Sequence, residues 1–239
     1  MLSAALPGLG QSYSDDWGLS WKSLAFLGAE VAMWTAYAIN TSKADKQTAD
    51  FELYADEHWS VVTYADWIRQ HIGELDKTNQ VNPNNIVTSS DPGLKPWERV
   101  DWAELNRVEE EIGRSTGTGF THRLPLRPEQ QYYELIGKYA QYGGGWDDAS
   151  YFTPSHLLQD EVSTRFLEYS QMRGRANDLY NIATTVSYVI VANHIFSALE
   201  AAWSTSQANK RVKAEAKVKE SRMGGKVVKY ASLDVSVSF

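Results

Sequence analysis

The sequence predicts a mainly α protein: long paired helices forming a bundle, two of them candidate membrane helices, closed by a C-terminal β-hairpin. Three observations predict it. Residues 23–40 and 179–203 are two long apolar stretches, the first with a single charged residue at Glu30 and the second holding Asn193 and His194. The segment between them carries amphipathic helical periods separated by Pro/Gly/Asn loops. The tail alternates apolar and polar residues with period two on both sides of Gly224-Gly225, the pattern of paired strands.

Taken in order, MLSAALPGLGQSY is apolar and then broken by Pro7, Gly8 and Gly10, a short helix or turn. Ser20 is placed to cap a helix beginning near Trp21. Its apolar stretch continues into an amphipathic stripe of Phe51, Tyr54, Ala55, Trp59 and Val62, which predicts one helix over about 21–70. Residues 77–100 are dense in Asn, Pro, Ser and Gly and read as a loop. Asp101 then caps a helix with Trp102, Leu105, Val108 and Ile112 on one face and three consecutive glutamates on its polar side. Pro128 opens a further helix through Tyr142, stopped by Gly143-Gly144-Gly145. Thr153-Pro154 reads as the cap and first turn of a second long helix over about 154–209.

Charge divides the chain. Residues 41–176 carry 14 basic against 22 acidic side chains, whereas residues 177–239 carry 8 against 5, all the basic ones from Lys210 onward. An acidic middle with a basic tail argues against nucleic acid as a partner of the bulk. A mean hydropathy of -0.43 excludes a protein built mostly of membrane spans. The 9 Trp and 13 Tyr against 7 Phe suit either an aromatic core or a membrane boundary. Without cysteine there are no disulfides, thiolate nucleophiles or thiolate zinc sites. Met1 lacks a basic leader, and the abrupt apolar opening reads as a processed or truncated start. The composition delimits four segments: 1–40 (N-terminal turn and first apolar helix), 41–176 (acidic, Trp/Tyr-rich helical domain), 177–209 (second apolar helix) and 210–239 (basic hairpin tail).

Signals for chemistry are weak. The five histidines include no pair at helical metal spacing, so no metal site or cofactor is expected. Asp56-Glu57-His58 reads as an exposed polar turn, because adjacent residues on a helix point apart. Gly143-Gly144-Gly145-Trp146-Asp147-Asp148 has neither the strand before it nor the Lys-Ser/Thr after it that a phosphate loop needs. It reads as a helix stop, with a calcium or sugar contact as the alternative. No G-x-S-x-G and no H-E-x-x-H occur. The expectation is therefore not an enzyme.

The two apolar stretches carry the sharper expectation. Gly28, Ala32 and Ala36 recur at i+4, as do Ser197 with Ala201 and Ala198 with Ala202; small residues at that spacing let membrane helices approach closely. An ionisable group at membrane depth normally faces a partner, which pairs Glu30 with His194 or Asn193. In the tail, Leu233, Val235, Val237 and Phe239 form an apolar face for a partner's sheet edge or the protein's own helices.

LPGLGQ-x-Y at the start, ANHIFSALEAAW late, ADEHW with Tyr64-x-x-Trp67, QQYYELIGKYAQY followed by GWDD, and the Arg173 to Asn177 region resemble segments of an uncharacterised bacterial cell-envelope membrane family, a domain of unknown function. The similarity covers most of the chain outside residues 77–100. Members of that family begin with a signal sequence and a PGLGQ-x-Y helical hairpin; this chain differs in lacking the leader and in placing Glu30 inside the first apolar helix. The resemblance implies membrane association and no activity, cofactor or catalytic residue. The functional expectation is a non-catalytic subunit that scaffolds a larger assembly in a diderm envelope membrane, inner or outer. Its partners are the lipid membrane and other envelope proteins or itself, with the acidic middle domain periplasmic. The alternative is a soluble periplasmic binding module using the aromatic-rich middle domain.

Overall fold

The computed structural model describes residues 2–14, 18–78, 80–114, 118–223 and 226–237, without the side chains of 208–230 and 234–237. It is mainly α, with two long helices that pack together, α3 (Trp21–His58) and α8 (Thr164–Arg211). The chain divides into two compact units: residues 1–41 with 181–239 form unit 1, and residues 42–180 form unit 2.

Unit 1 holds the short helices α1 (Leu2–Ala5) and α2 (Leu9–Ser14), the first half of α3, the second half of α8, and two strands. Ser20 caps α3 as expected, accepting from the Ser23 amide at 3.3 Å. Along α3 the buried or half-buried Ser23, Glu30 and Tyr37 recur every seven residues, and along α8 so do Ala183, Ile190 and Ser197. A seven-residue repeat keeps one narrow seam facing the partner helix, as in a coiled coil. Strand β1 (Val212–Met223) pairs antiparallel with β2 (Lys226–Val237), with Val212 opposite Val237 and Met223 opposite Lys226. Gly224-Gly225 and Phe239 lie outside the described residues, as do the side chains of Val235 and Val237; Leu233 is exposed.

Unit 2 has a conventional interior. Its elements are the rest of α3 and α8, α4 (Val61–Leu75), a 3-10 turn Pro96–Glu98, α5 (Trp102–Arg114), α6 (Gln130–Leu135), a 3-10 segment Ala140–Gly145 and α7 (Pro154–Gln159). Asp101 caps α5, accepting from the amides of Ala103 at 2.9 Å and Glu104 at 3.1 Å.

Three of the expected elements are corrected. The helix over 21–70 is two helices, broken at Trp59-Ser60. There the chain turns extended, the Ser60 amide donates to the Gly145 carbonyl at 2.9 Å, and Trp59 bridges Trp146. The predicted stripe places Val62 inward, whereas α4 buries Val61, Tyr64, Ala65 and Ile68, so the inward face shifts by one position across the break. The helix over 154–209 is likewise α7 and α8, separated at Asp160, whose φ of 55° is left-handed. The helix from Pro128 to Tyr142 is cut to α6, because residues 140–145 are drawn into the core.

The triple glycine, expected as a helix stop, ends the 3-10 segment Ala140–Gly145, and it does so inside the core. Added Cβ atoms would lie 2.4 Å from Phe152 at Gly143, 2.4 Å from Trp67 at Gly144 and 2.3 Å from Trp59 at Gly145. Three rings therefore press on bare backbone. Each indole N–H in this cluster finds a carbonyl: Trp59 that of Tyr142 (2.9 Å), Trp67 that of Phe152 (2.7 Å), Trp146 that of Ile136 (3.2 Å). The buried indole N–H groups are satisfied there, as packing of tryptophan requires, whereas the Tyr142 hydroxyl beside them is buried without a hydrogen-bond partner among the described residues.

Candidate functional site

The polar seam of unit 1 is built from both long helices and the N-terminal segment. Glu30, 5% exposed, sits midway along the apolar part of α3. Its Oε1 accepts from Trp34 Nε1 at 2.7 Å, one helical turn along, and its Oε2 from Asn193 Nδ2 at 2.9 Å. His194 Nε2 lies 3.1 Å from Oε1, while its Nδ1 faces the Ala4 carbonyl at 2.8 Å. A carbonyl only accepts, so Nδ1 carries a proton. The pair is then either imidazolium against carboxylate or neutral imidazole accepting from a protonated carboxyl. Both arrangements have zero net charge.

The N-terminal segment completes the seam. Ser197, fully buried, accepts from the Gly8 amide at 2.9 Å through its Oγ, and its carbonyl accepts from Gln11 Nε2 at 2.8 Å. Gln11 Oε1 accepts from Ser3 Oγ at 2.8 Å. Both glycines of the PGLGQ run are required here. Gly8 has φ 93° and a Cβ would lie 2.5 Å from the Ser23 carbonyl; at Gly10 one would meet Ser3 Oγ at 2.6 Å and Ala201 Cβ at 2.9 Å. At the end of the pair Lys22 Nζ meets Glu200 Oε1 at 2.5 Å.

The structure thus brings Glu30, Asn193 and His194 together and places Ser197 and Ala201 against the N-terminal segment. It does not bring Gly28 and Ala32 to the seam. Both lie on the exposed side of α3, and a Cβ on Gly28 would meet nothing within 4 Å. Glu30 falls two positions past Gly28, about 200° around the helix at 3.6 residues per turn, so the polar residue and the small-residue row cannot face one partner. Missed from the sequence were Ser3, Gln11 and Ser23; short polar side chains in apolar company were the signal.

Outward, unit 1 inverts the usual rule. Leu24, Leu27, Val31 and Ile39 of α3 and Val189, Val191, Ile195 and Leu199 of α8 are exposed. Trp21 at 75% and Trp203 at 68% exposure sit on antiparallel helices at the end marked by Lys22 and Glu200. Among the described residues one helix, α8, is long and apolar enough to cross a membrane by length and composition. The first half of α3, also expected to qualify, does not meet that standard among the described residues.

In unit 2 the residues singled out for chemistry have structural partners. Asp56 is not an exposed turn residue: it pairs with Arg127 at 2.5 Å and accepts from Tyr133 OH at 3.1 Å. His58 Nδ1 lies 3.0 Å from Asp147, which also pairs with Arg165 at 2.8 Å. Asp148 accepts from the Arg165 amide at 3.0 Å. Among the described residues no group of three His, Asp or Glu side chains is placed to hold a metal ion.

Glu109 departs from the expected polar face of α5. Glu110 and Glu111 pair with Arg114 and Arg107 at the surface, but Glu109 is buried. It accepts from Tyr64 OH at 2.9 Å and from the Leu124 amide at 2.8 Å. Burial outweighs these bonds and pushes its pKa up to about 8.

No protein-family model, curated protein or solved structure matches the chain.

Proposed function

We propose that the chain is a non-catalytic membrane protein, a structural subunit whose unit 1 is embedded in the bilayer as a helical hairpin. The observation that carries this reading is the inverted burial of unit 1: Ser3, Gln11, Ser23, Glu30 and Ser197 inside, leucine, valine, isoleucine and tryptophan outside. In water such an arrangement forgoes the hydrophobic term, worth about 25 cal/mol per Å2 of apolar surface. In lipid it is the arrangement expected, because association there rests on close packing and interhelical hydrogen bonds rather than on apolar burial. The dimensions agree. The exposed apolar residues from Trp21 to Ile39 span about 27 Å, and those from Ile182 to Trp203 about 32 Å, at ~1.5 Å per residue; a hydrocarbon core is about 30 Å thick. Trp21 and Trp203 would sit at the headgroup level, where indoles concentrate.

The envelope of a diderm bacterium is the setting the sequence resemblance supports. The basic residues from Lys210 onward favour the cytoplasmic side for the tail and the periplasm for the acidic unit 2. The absence of cysteine makes the test direct. Single cysteines at Val189, Ile195 and Leu199 should resist a membrane-impermeant maleimide in sealed vesicles, and one at Glu57 should react when unit 2 faces the reagent. The protein should also stay in the pellet after alkaline carbonate washing. Ready labelling of the three α8 positions together with release by carbonate would overturn the reading.

A further inference from the structure

A cleft in unit 2 of 630 Å3 lies between α3, α6 and α8, within the range of about 300–1,000 Å3 typical of small-molecule sites. Its walls bring Phe51 and Glu52 from α3 together with Glu134 from α6 and Arg173, Asn177 and Tyr180 from α8. Several charges of unit 2 are tied to one another: Asp56 with Arg127, Arg107 with Glu104 and Glu111, Arg165 with Asp147. The charges of the cleft are not tied across it. Among the described residues Arg173, Glu52 and Asn177 make no side-chain hydrogen bond and no ion pair, although Arg173 and Glu52 line one cavity. Glu134 makes one, to the exposed Lys138 at 3.2 Å.

The walls around these groups are fixed. Phe51 packs edge-on to Tyr169 with ring centroids 5.8 Å apart, and Tyr180 OH donates to Asp45 at 2.7 Å. A rigid cleft holding a cation and carboxylates apart, each with unused hydrogen-bonding capacity, is complementary to a ligand carrying both signs. A guanidinium fork matches a carboxylate bidentately, and carboxylates accept from an ammonium. The aromatic edges suit an aliphatic stem between the two. Burial and the neighbouring Asp56 raise the pKa of Glu52, which a bound cation would reverse.

We propose that this cleft is a binding site for a small zwitterion of the amino-acid or short-peptide class, its carboxylate on Arg173 and its amine on Glu52. The inference does not depend on the membrane reading, since every residue in it belongs to unit 2. Titration calorimetry on the full chain in detergent, with free dipeptides of small, aromatic, acidic and basic side chains as probes, tests it. At least one dipeptide should bind saturably. Its affinity should fall at least tenfold in Arg173→Ala, in Glu52→Gln, and when the peptide is N-acetylated or C-amidated, with far-UV circular dichroism unchanged in both variants. No binding by any dipeptide would overturn the proposal. So would binding that survives both variants or both caps, or binding of the neutral sugar cellotriose in place of the peptides.

Discussion

Substituting Glu109 by Gln isolates the energetic consequence of a carboxyl buried in the core of unit 2. Glutamine reproduces the protonated acid: its oxygen accepts from the Leu124 amide and its nitrogen faces Tyr64 OH. The native pKa of about 8 stands above the ordinary 4.5 because desolvation is the largest influence, exceeding the Leu124 and Tyr64 hydrogen bonds that favour the charged form. Between those two values the folded chain holds a proton that the unfolded chain has released. Stability therefore falls as pH rises from about 4.5 and levels off above about 8. At 1.36 kcal/mol per unit, that difference amounts to about 3 kcal/mol at pH 7 and about 5 kcal/mol at the plateau. Urea unfolding followed by the fluorescence of Trp59, Trp67 and Trp146, all in the unit 2 core, reads this group directly. Wild type and Glu109→Gln should nearly coincide at pH 5 and diverge by several kcal/mol at pH 8.5, with the variant more stable. A difference curve that stays flat within about 0.5 kcal/mol over that range would refute the argument that burial controls this carboxyl.

Four further outcomes are expected. Glu30→Ala should destabilise the detergent-solubilised protein by about 3–5 kcal/mol by stranding a buried partner, against less than about 1 kcal/mol for the surface change Glu110→Ala; thermal melts compare them. Gly144→Ala must displace the Trp67 ring that lies 2.4 Å from the new Cβ, a core clash of about 1–3 kcal/mol or more, seen as a lowered urea midpoint. Asp76, held down to about 2 by Thr78 and the amides of Thr78, Gln80 and Val81, contributes stability above the ordinary 3.8 that is lost as pH falls toward 2; the advantage of wild type over Asp76→Asn should vanish there. Deleting residues 226–239 should release the chain from a copurifying partner or lower its melting temperature, and no change in either would mean the strand pair docks on nothing.

What could be read from the sequence divides along physical lines. Helix content, the Asp101 and Ser20 caps and the paired strands rest on local rules, and each is visible in a few residues. Glu30, Asn193 and His194 stood out because a polar group in an apolar run needs a partner. Residues 59–60 escaped because the break there is held by tertiary neighbours, Gly145 and Trp146, whereas at 160 a left-handed Asp closes α7 through local bonds to His156 and Leu157, with no glycine to mark the stop. Glu109 was hidden among three glutamates: nothing local distinguishes it from Glu110, and only the approach of Tyr64 and Leu124 makes it interior. The Gly28 row misled because i+4 spacing says which residues share a face, not which face a partner takes.

The Tyr180–Asp45 hydrogen bond has a consequence for the order of assembly. Glu30 and Asn193 are 163 residues apart in the chain, and closing a flexible loop of that length takes roughly 4–5 kcal/mol of entropy by the (3/2)RT ln n relation. A folded unit 2 would remove most of that cost, since its two chain ends, near residues 45 and 180, are clasped by the Tyr180–Asp45 bond at 2.7 Å. Ser3, Gly10 and Gln11 can bond among themselves from the outset, whereas Ser197 lies 186 positions beyond Gln11 and joins them only once the two long helices meet. Pairing of the two long helices in unit 1 then rests on unit 2, and a substitution that unfolds unit 2 at its buried Trp146 should also separate Glu30 from Asn193.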